Sequence, residues 1–569
     1  MHERVRPLFA GDTQLSGQRN IRSGGHVSNA ALGLNTESSR VVDTRAVDTR
    51  AVDTRALDQR TVDRQPGHKL PLEALFRPAL VLMSGRFLGF VAAFAIPIVL
   101  ARIFDQTEFG SYKQIFLIFG TVFGIAQVGM AESLYYFLPS ETRRSGGFVL
   151  NTLAVLGVFG MISLGALWLW RQEVAELLNN PGLTASIPLI GVYLVFMLMA
   201  VVLEIVMTVR KQHLAASGAY AASDLVRAVF YIAPVLIFSG LRGLLLGAIA
   251  FAMIRLTATL VYLKREFGGT LRPDRASLRQ QLAYAIPFGL AGLIEVLQTN
   301  LHLYVVSYHF DTATFAIYAV GCLQIPLSDY LMTSTSNVMM VNMRERMLAD
   351  DHESVVSIWL DSVRKLALIF FPLVAGLLIT ANALIVMLFT SSYERSAPIF
   401  MVWTLSMLFA TLLTDGALRV LAETRFLILQ NLLRLVLIVG MIQWFLARYD
   451  LMGAILVTLL ATAVAKVFAL ARIKHVLQVP LARLLPWRSL GVTMLIASGA
   501  AVPAMLVESA LTVPGPILLL LTGLVYTLCY YVLLQWFGPM QKEEKRMLAE
   551  WLQGPFSRLG RASKSQEII

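Results

Sequence analysis

The sequence predicts an all-α membrane protein of fourteen transmembrane helices, built as two six-helix bundles related by a pseudo-two-fold axis along the membrane normal, with two extra C-terminal helices. Three observations predict it. Of 569 residues, 56% are hydrophobic and only 15% charged, a balance that fits a membrane bundle far better than a string of soluble domains. Apolar stretches of the roughly 20 residues needed to cross a ~30 Å hydrocarbon core follow one another from Pro78 to Trp536. The basic residues between them crowd into every second gap.

Residues 1–77 precede the first span and differ in kind. They are polar and carry a decaying five-residue repeat: Val42-Asp43-Thr44-Arg45, Val47-Asp48-Thr49-Arg50, Val52-Asp53-Thr54-Arg55, Leu57-Asp58-Gln59-Arg60 and Val62-Asp63-Arg64. A period of five matches neither a helical face nor strand alternation, so the segment reads as a disordered low-complexity tail, with a tether for a partner as the alternative. No apolar stretch of signal-peptide type precedes span 1, which is expected to direct its own insertion.

The spans fall at about 78–104, 114–138, 147–170, 184–209, 218–239, 242–263, 281–307, 314–342, 366–390, 397–415, 425–447, 451–471, 489–507 and 516–537. Gaps after even-numbered spans hold Arg143-Arg144, Arg210-Lys211, Lys264-Arg265, Arg344 with Arg346, Arg364-Lys365 and Arg472 with Lys474 among others. The alternate gaps hold only Lys113, Arg171, Arg242, Arg395 and Arg448. Because cytoplasmic loops carry the Lys/Arg excess, both termini and the even gaps are expected in the cytoplasm. The formal charge of +12 then reflects topology and contact with anionic lipid heads, and it gives no support to nucleic-acid binding. Cys322 and Cys529, the two cysteines, both lie inside predicted spans, which argues against a disulfide or thiolate metal site. No HExxH, CxxC or glycine-rich GKS/GKT sequence occurs, so neither a metal nor another cofactor is expected.

A self-match divides the spans. Asp105-Gln106-Thr107-Glu108-Phe109-Gly110-Ser111-Tyr112 follows span 1, and Asp311-Thr312-Ala313-Thr314-Phe315-Ala316-Ile317-Tyr318 follows span 7, with Asp, Phe, a small residue and Tyr at identical spacing. Ala185-Ser186-Ile187-Pro188 before span 4 is echoed by Ser396-Ala397-Pro398 before span 10. The expected units are therefore a first bundle at 78–265, a second at 281–474, a helix pair at 489–537 and a C-terminal tail at 538–569. Such duplicated bundles commonly meet at a midplane site around which the halves rock.

Several of these segments also resemble a family. Ser84-Gly85-Arg86-Phe87-Leu88-Gly89-Phe90, Ala101-Arg102-Ile103-Phe104 running into Glu108-Phe109-Gly110-Ser111-Tyr112, Ala285-Ile286-Pro287-Phe288, and Leu388-Phe389 with Tyr393 and Ala397-Pro398 look like polysaccharide flippases of the Wzx type. These belong to the MOP superfamily with MATE multidrug exporters and lipid II flippases. The resemblance runs through about 78–480 and implies a MATE-like fold and transport without covalent chemistry. It further implies a bacterial inner-membrane location, a lipid-linked oligosaccharide as substrate, and work beside polysaccharide polymerase and chain-length machinery.

Ionisable residues inside spans, which cost about 2.5–3.5 kcal/mol each at a helix centre, then point to a site. The cations are Arg86, Arg102, Arg227, Arg255, Arg434 and Lys466; the anions are Glu132, Glu204, Asp224, Glu295 and Asp329. Arg102 is near a span end and can snorkel, Asp224 and Arg227 can neutralise each other on one helix, and Glu132 and Glu204 are expected near a hydrated inner mouth. Arg86, Arg255, Arg434 and Lys466, with Arg227, are the candidates for binding a diphosphate, because basic groups from both halves suit it and a guanidinium offers several donors in a fixed fork and stays charged when desolvated. Glu295, Asp329, Asp224 and Glu132 are the candidates for coupling to H+ or Na+. Gln298, Asn300 and His302 are candidates for sugar hydroxyls, or else ties between helices.

Overall fold

The computed structural model describes residues 89–140, 144–238, 240–511, 513–541 and 544–545. The repetitive tail, the start of span 1 with Arg86, and most of 538–569 lie outside the described residues.

The described residues form nineteen α-helices: α1 (Gly89–Ile103), α2 (Gln106–Ala126), α3 (Met130–Ser140), α4 (Ser145–Leu169), α5 (Arg171–Leu177), α6 (Ile187–Ala200), α7 (Val202–Val209), α8 (His213–Phe238), α9 (Gly240–Phe267), α10 (Arg275–His309), α11 (Thr312–Gly321), α12 (Pro326–Leu348), α13 (His352–Phe389), α14 (Ala397–Ala410), α15 (Thr414–Val420), α16 (Thr424–Tyr449), α17 (Leu451–Leu477), α18 (Trp487–Ala510) and α19 (Gly515–Phe537). The chain is a multi-pass membrane protein. Among the described residues eleven helices are long and apolar enough to cross a bilayer, or twelve when α10, bent by 44° between Pro287 and Gly292, is counted as one span. The difference from fourteen falls at spans 1 and 8. Only the last part of span 1 is described, as α1, and span 8 is divided into the short α11 and the polar α12.

Besides the bend in span 7, four predicted spans are interrupted, in pairs six spans apart. Span 2 breaks between α2 and α3 at Val128 and Gly129, both with positive φ (47° and 71°). Its counterpart six spans later, span 8, breaks between α11 and α12 ahead of Pro326, which lacks the N–H an uninterrupted helix would need. Span 4 has a lesser interruption at Val201 between α6 and α7, and span 10 breaks ahead of α15 at Leu413, whose φ of 47° cannot continue a right-handed helix.

The repeated eight-residue element explains itself in the fold. Asp105 and Asp311 are N-caps, each accepting the backbone N–H three residues on at 2.7 Å. Phe109 and Phe315 are buried, as are Tyr112 and Tyr318. At the small position, Gly110 lies so close to the backbone oxygen of Thr312 that a Cβ would fall 2.1 Å from it. The two copies of the element thus meet face to face. Around them Phe109 packs on Phe389 and Tyr393 with ring centres 6.4 and 5.5 Å away. Gln114 binds the Ser307 hydroxyl at 2.8 Å, and Asn179 reaches the Phe310 carbonyl at 3.2 Å. Arg102 and Gln106 donate to the carbonyls of Met387 and Ser392. The end of the bundle that carries residues 105 and 311 is therefore closed by contacts between the two halves of the chain.

Elsewhere α4 packs on α6, α8 on α9 and α6 on α9, and the same pattern recurs as α13 on α14, α16 on α17 and α14 on α17. Helices α18 and α19 pack on each other and on α13. Beyond α19, Glu544 binds Arg364 at 2.6 Å, and the Pro539 carbonyl accepts from the same guanidinium at 2.7 Å. Large side chains on the outside are apolar, with Trp168, Trp170 and Trp444 near the 105/311 end and Trp487 and Trp536 near the other, as expected of aromatic belts at two interfaces.

Candidate functional site

The candidate residues sort into two clusters, one in each half of the chain. In the second half, Asp329 at the start of α12, Asp415 on α15, Arg434 on α16 and Lys466 on α17 line one cavity of about 300 Å³, together with Trp403, Thr458 and Thr462. The broken span supplies this arrangement. The turn at Leu413 restarts the helix so that Thr414 and Asp415 fall in its first turn, facing α17. There Lys466 Nζ donates to Thr414 Oγ1 at 2.9 Å and meets Asp415 Oδ1 at 3.1 Å, while Gln430 Nε2 donates to the same oxygen at 3.2 Å. Arg434 stays partly unsatisfied: its Nε is buried with no hydrogen-bond partner among the described residues. Glu295 is exposed on α10, near enough for its charge to act on Arg434.

The first half holds a related arrangement. Arg255 on α9 meets Glu204 on α7 at 2.5 Å and also donates to the Ser223 hydroxyl on α8. Glu204 is only 3% exposed, so the hydrated mouth expected around it is corrected: it is buried because Arg255 neutralises it. One turn along α8, Asp224 and Arg227 pair at 2.7 Å. Gly89 on α1 approaches the Asp224 carboxylate so closely that a Cβ would lie 2.6 Å from Oδ2. Glu132 on α3 joins neither cluster, and one of its carboxylate oxygens is buried without a hydrogen-bond partner among the described residues.

Sequence reasoning missed Asp415 and Ser223. Asp415 is the last residue of predicted span 10 and reads as a span end. The available signal was its spacing, since Asp415 precedes Lys466 by the same 51 residues that separate Glu204 from Arg255. The polar residues offered as sugar contacts divide toward the helix-tie alternative. His302 is buried and bonds the Tyr318 hydroxyl at 2.8 Å, and Asn300 donates to Thr121 at 3.1 Å, so both hold α10 against its neighbours. Among the described residues no group of three or more His, Cys, Asp and Glu side chains could hold a metal ion.

The profile of a family described as polysaccharide biosynthesis protein matches residues 99–398, more than half of the chain. The chain belongs to this polysaccharide biosynthesis protein family. A search of curated protein sequences finds no match. Among solved structures, this polysaccharide biosynthesis protein is similar to the lipid II flippase MurJ in an inward closed conformation, with a TM-score of 0.64 and 12% identity over 80% of this chain and 98% of that one. It is also similar to an inward-facing multidrug resistance transporter of the MATE family in the MOP superfamily, with a TM-score of 0.51 and 12% identity over 70% and 99% of the two chains. A third likeness is to a MOP superfamily transporter from Pyrococcus furiosus described as having a binding pocket of reverse polarity (TM-score 0.51, 13% identity, 71% and 94% coverage). At these identities the likeness is one of fold: the family member has the fold of MOP superfamily transporters.

Proposed function

We propose that this polysaccharide biosynthesis protein is a flippase that moves a polyprenyl-diphosphate-linked oligosaccharide from the cytoplasmic to the outer leaflet of the bacterial inner membrane, for O-antigen, capsule or exopolysaccharide assembly. The observation that carries the reading is the cavity in which Arg434 and Lys466 stand together, Arg434 with a buried donor still unpaired. Two fixed cations in an apolar bundle suit a diphosphate, whose oxygens can accept from both at once. No covalent bond changes, and the protein is not an enzyme on this reading. Asp329 and Asp415 line the same cavity and are where a coupling H+ or Na+ would act.

The proposed architecture is fourteen spans in two six-helix units plus a pair, with both termini cytoplasmic. The interruptions of spans 4 and 10, which fall at like distances after Ser186 and Ser396, support the duplication. The cleft between α13 and α19, about 430 Å³ and lined by Gly376, Thr380, Thr522, Tyr526 and Tyr530, gives the extra pair a role beside a lipid tail. Ion-coupled multidrug export on the same fold is the alternative. A hydrophobic cation could not accept from the unpaired Arg434 donor, which disfavours it. A membrane polymerase or ligase is further off, since those reactions need a sizeable outward loop.

The direct test is translocation of a lipid-diphosphate-linked oligosaccharide in proteoliposomes. Arg434→Ala and Lys466→Ala are each expected to reduce the rate by about tenfold or more, the effect of losing one charge-assisted contact of ~1.5–3 kcal/mol. Unchanged rates in both variants would refute the cationic site. The orientation is tested separately by a reporter fused after Gly268, which is expected to remain cytoplasmic.

A further inference from the structure

The two ion pairs Glu204–Arg255 and Asp415–Lys466 are one device present twice. Each joins the second part of an interrupted span, α7 or α15, to the last span of its half, α9 or α17. Each covers 51 residues of sequence, and each cation also donates to a neighbouring hydroxyl, Ser223 or Thr414. The two pairs share the spacing, the helices they join and the polarity, while the supporting hydroxyl comes from α8 in the first half and from α15 itself in the second. The pairs differ in access. Arg255 and Glu204 are 14% and 3% exposed, whereas Asp415 is 52% exposed and turns toward the cavity that Lys466 and Arg434 line.

Building on the diphosphate reading above, we propose that Asp415 is an internal stand-in for the anionic headgroup: it holds Lys466 between substrates and yields it when the headgroup arrives, whereas the buried Glu204–Arg255 pair of the first half stays closed as a structural tie. A bare ammonium in an apolar bundle is expensive, and so is an ammonium stripped of its only carboxylate. Exchanging one anion for another on the same cation avoids both costs, so a diphosphate can enter at little net penalty. A neutral amphiphile or a cation has nothing to give Lys466 in return and must break the pair uncompensated. The carboxylate therefore acts as a specificity determinant that rejects solutes without negative charge. Arg434, with a donor still free, is the first contact that draws the headgroup in before Lys466 is released.

The test measures equilibrium binding of farnesyl diphosphate to the full-length protein in detergent, alongside thermal stability. Asp415→Asn frees Lys466 and is expected to tighten binding about tenfold, the equivalent of 1.4 kcal/mol, while binding of farnesol stays weak. Asp329→Asn removes a carboxylate from the same cavity that holds no ion pair among the described residues, and it is expected to tighten binding much less. Reversing the pair with Asp415→Lys and Lys466→Asp rebuilds the bridge, and its affinity is expected to fall back to the wild-type level or below. Asp415→Ser is the second variant should Asp415→Asn fail to fold, with the same tightening expected. Equal tightening in the Asp329 and Asp415 variants would reduce the effect to general electrostatics and overturn the stand-in. Unchanged or weaker binding in folded Asp415→Asn would show a purely structural tie, and would also overturn it. Failure of both wild type and variants to bind farnesyl diphosphate at all would instead sink the diphosphate reading on which the stand-in rests.

Discussion

Arg434 and Lys466 were legible as candidates because an ionisable side chain in the middle of an apolar run stands out on any hydropathy reading. Their partners were not, since Asp415 is 51 residues from Lys466 and sits where the apolar run ends. Composition shows depth along a span but cannot say which face of a helix meets which neighbour. Arg255 illustrates the same limit: it read as a free cavity cation, and in the fold it is committed to Glu204. The consequence is measurable. Glu204→Gln leaves a guanidinium buried without its counter-charge and is expected to destabilise the protein by about 3–5 kcal/mol, seen as a clear drop in melting temperature in detergent. Glu204→Asp, which keeps the charge, is expected to recover most of the loss.

At the level of the helices, the recurring Asp-Phe-small-Tyr element turned out to encode three separate jobs: a cap, a buried anchor and a close approach. Its repetition was visible in the sequence, but only the fold shows that the two copies touch. The interruptions of spans 2, 4, 8 and 10 were not foreseen, because a break of a few residues leaves the apolar run of spans 2, 4 and 10 unbroken, and in span 8 the polar α12 follows the apolar α11 without a turn signal before Pro326. One of them depends on a neighbour. Gly289 on α10 rests against the turn at Val128, where a Cβ would come within 2.6 Å of the Val128 carbonyl carbon. Gly289→Ala must displace one backbone or the other, and it is expected to lower both stability and transport, whereas Gly292→Ala, with open space around it, is expected to leave stability nearly unchanged. Caps give a pH dependence of known sign. The Ser277 hydroxyl and the backbone N–H of Ala276 hold the Asp274 carboxyl below the usual aspartate range. A depressed carboxylate pKa stabilises the fold above the unfolded value of about 3.9, and the contribution is lost as the pH falls through the lower folded value. Asp274→Ala is thus expected to flatten the acid limb of a melting-temperature profile and leave the neutral region merely lowered.

For the molecule as a whole, the 105/311 end is closed by contacts between the halves, and α10 is tied to α3 and α4 further along through Gln281. If rocking of the halves carries transport, the 105/311 seam must open. Cysteines introduced as Gln106→Cys and Ser392→Cys, joined by a short bifunctional thiol reagent, are expected to arrest translocation, with recovery on cleavage of the linker. Continued transport through a cross-linked seam would rule out rocking about this contact. The broad architecture was accessible from sequence, since lipid imposes apolar runs of a fixed minimum length and loop charge alternates between them. The closed state of one end was not, because it rests on glycine spacing and carbonyl contacts that no residue type announces.

The contact between Arg364 and Glu544 has a practical corollary. Arg364 is 9% exposed in its side chain and donates hydrogen bonds to Asp361, Pro539 and Glu544, so the short stretch after α19 acts as a clasp across the foot of α13. A purification tag or fluorescent fusion spliced in directly after Phe537 would unfasten that clasp and leave the Arg364 guanidinium to Asp361 alone, at a cost of about 1.5–3 kcal/mol. The same fusion placed beyond Lys545 would leave it closed. Two otherwise equivalent expression vectors should therefore yield proteins of visibly different heat tolerance, and size-exclusion profiles taken after a brief warming step would tell them apart.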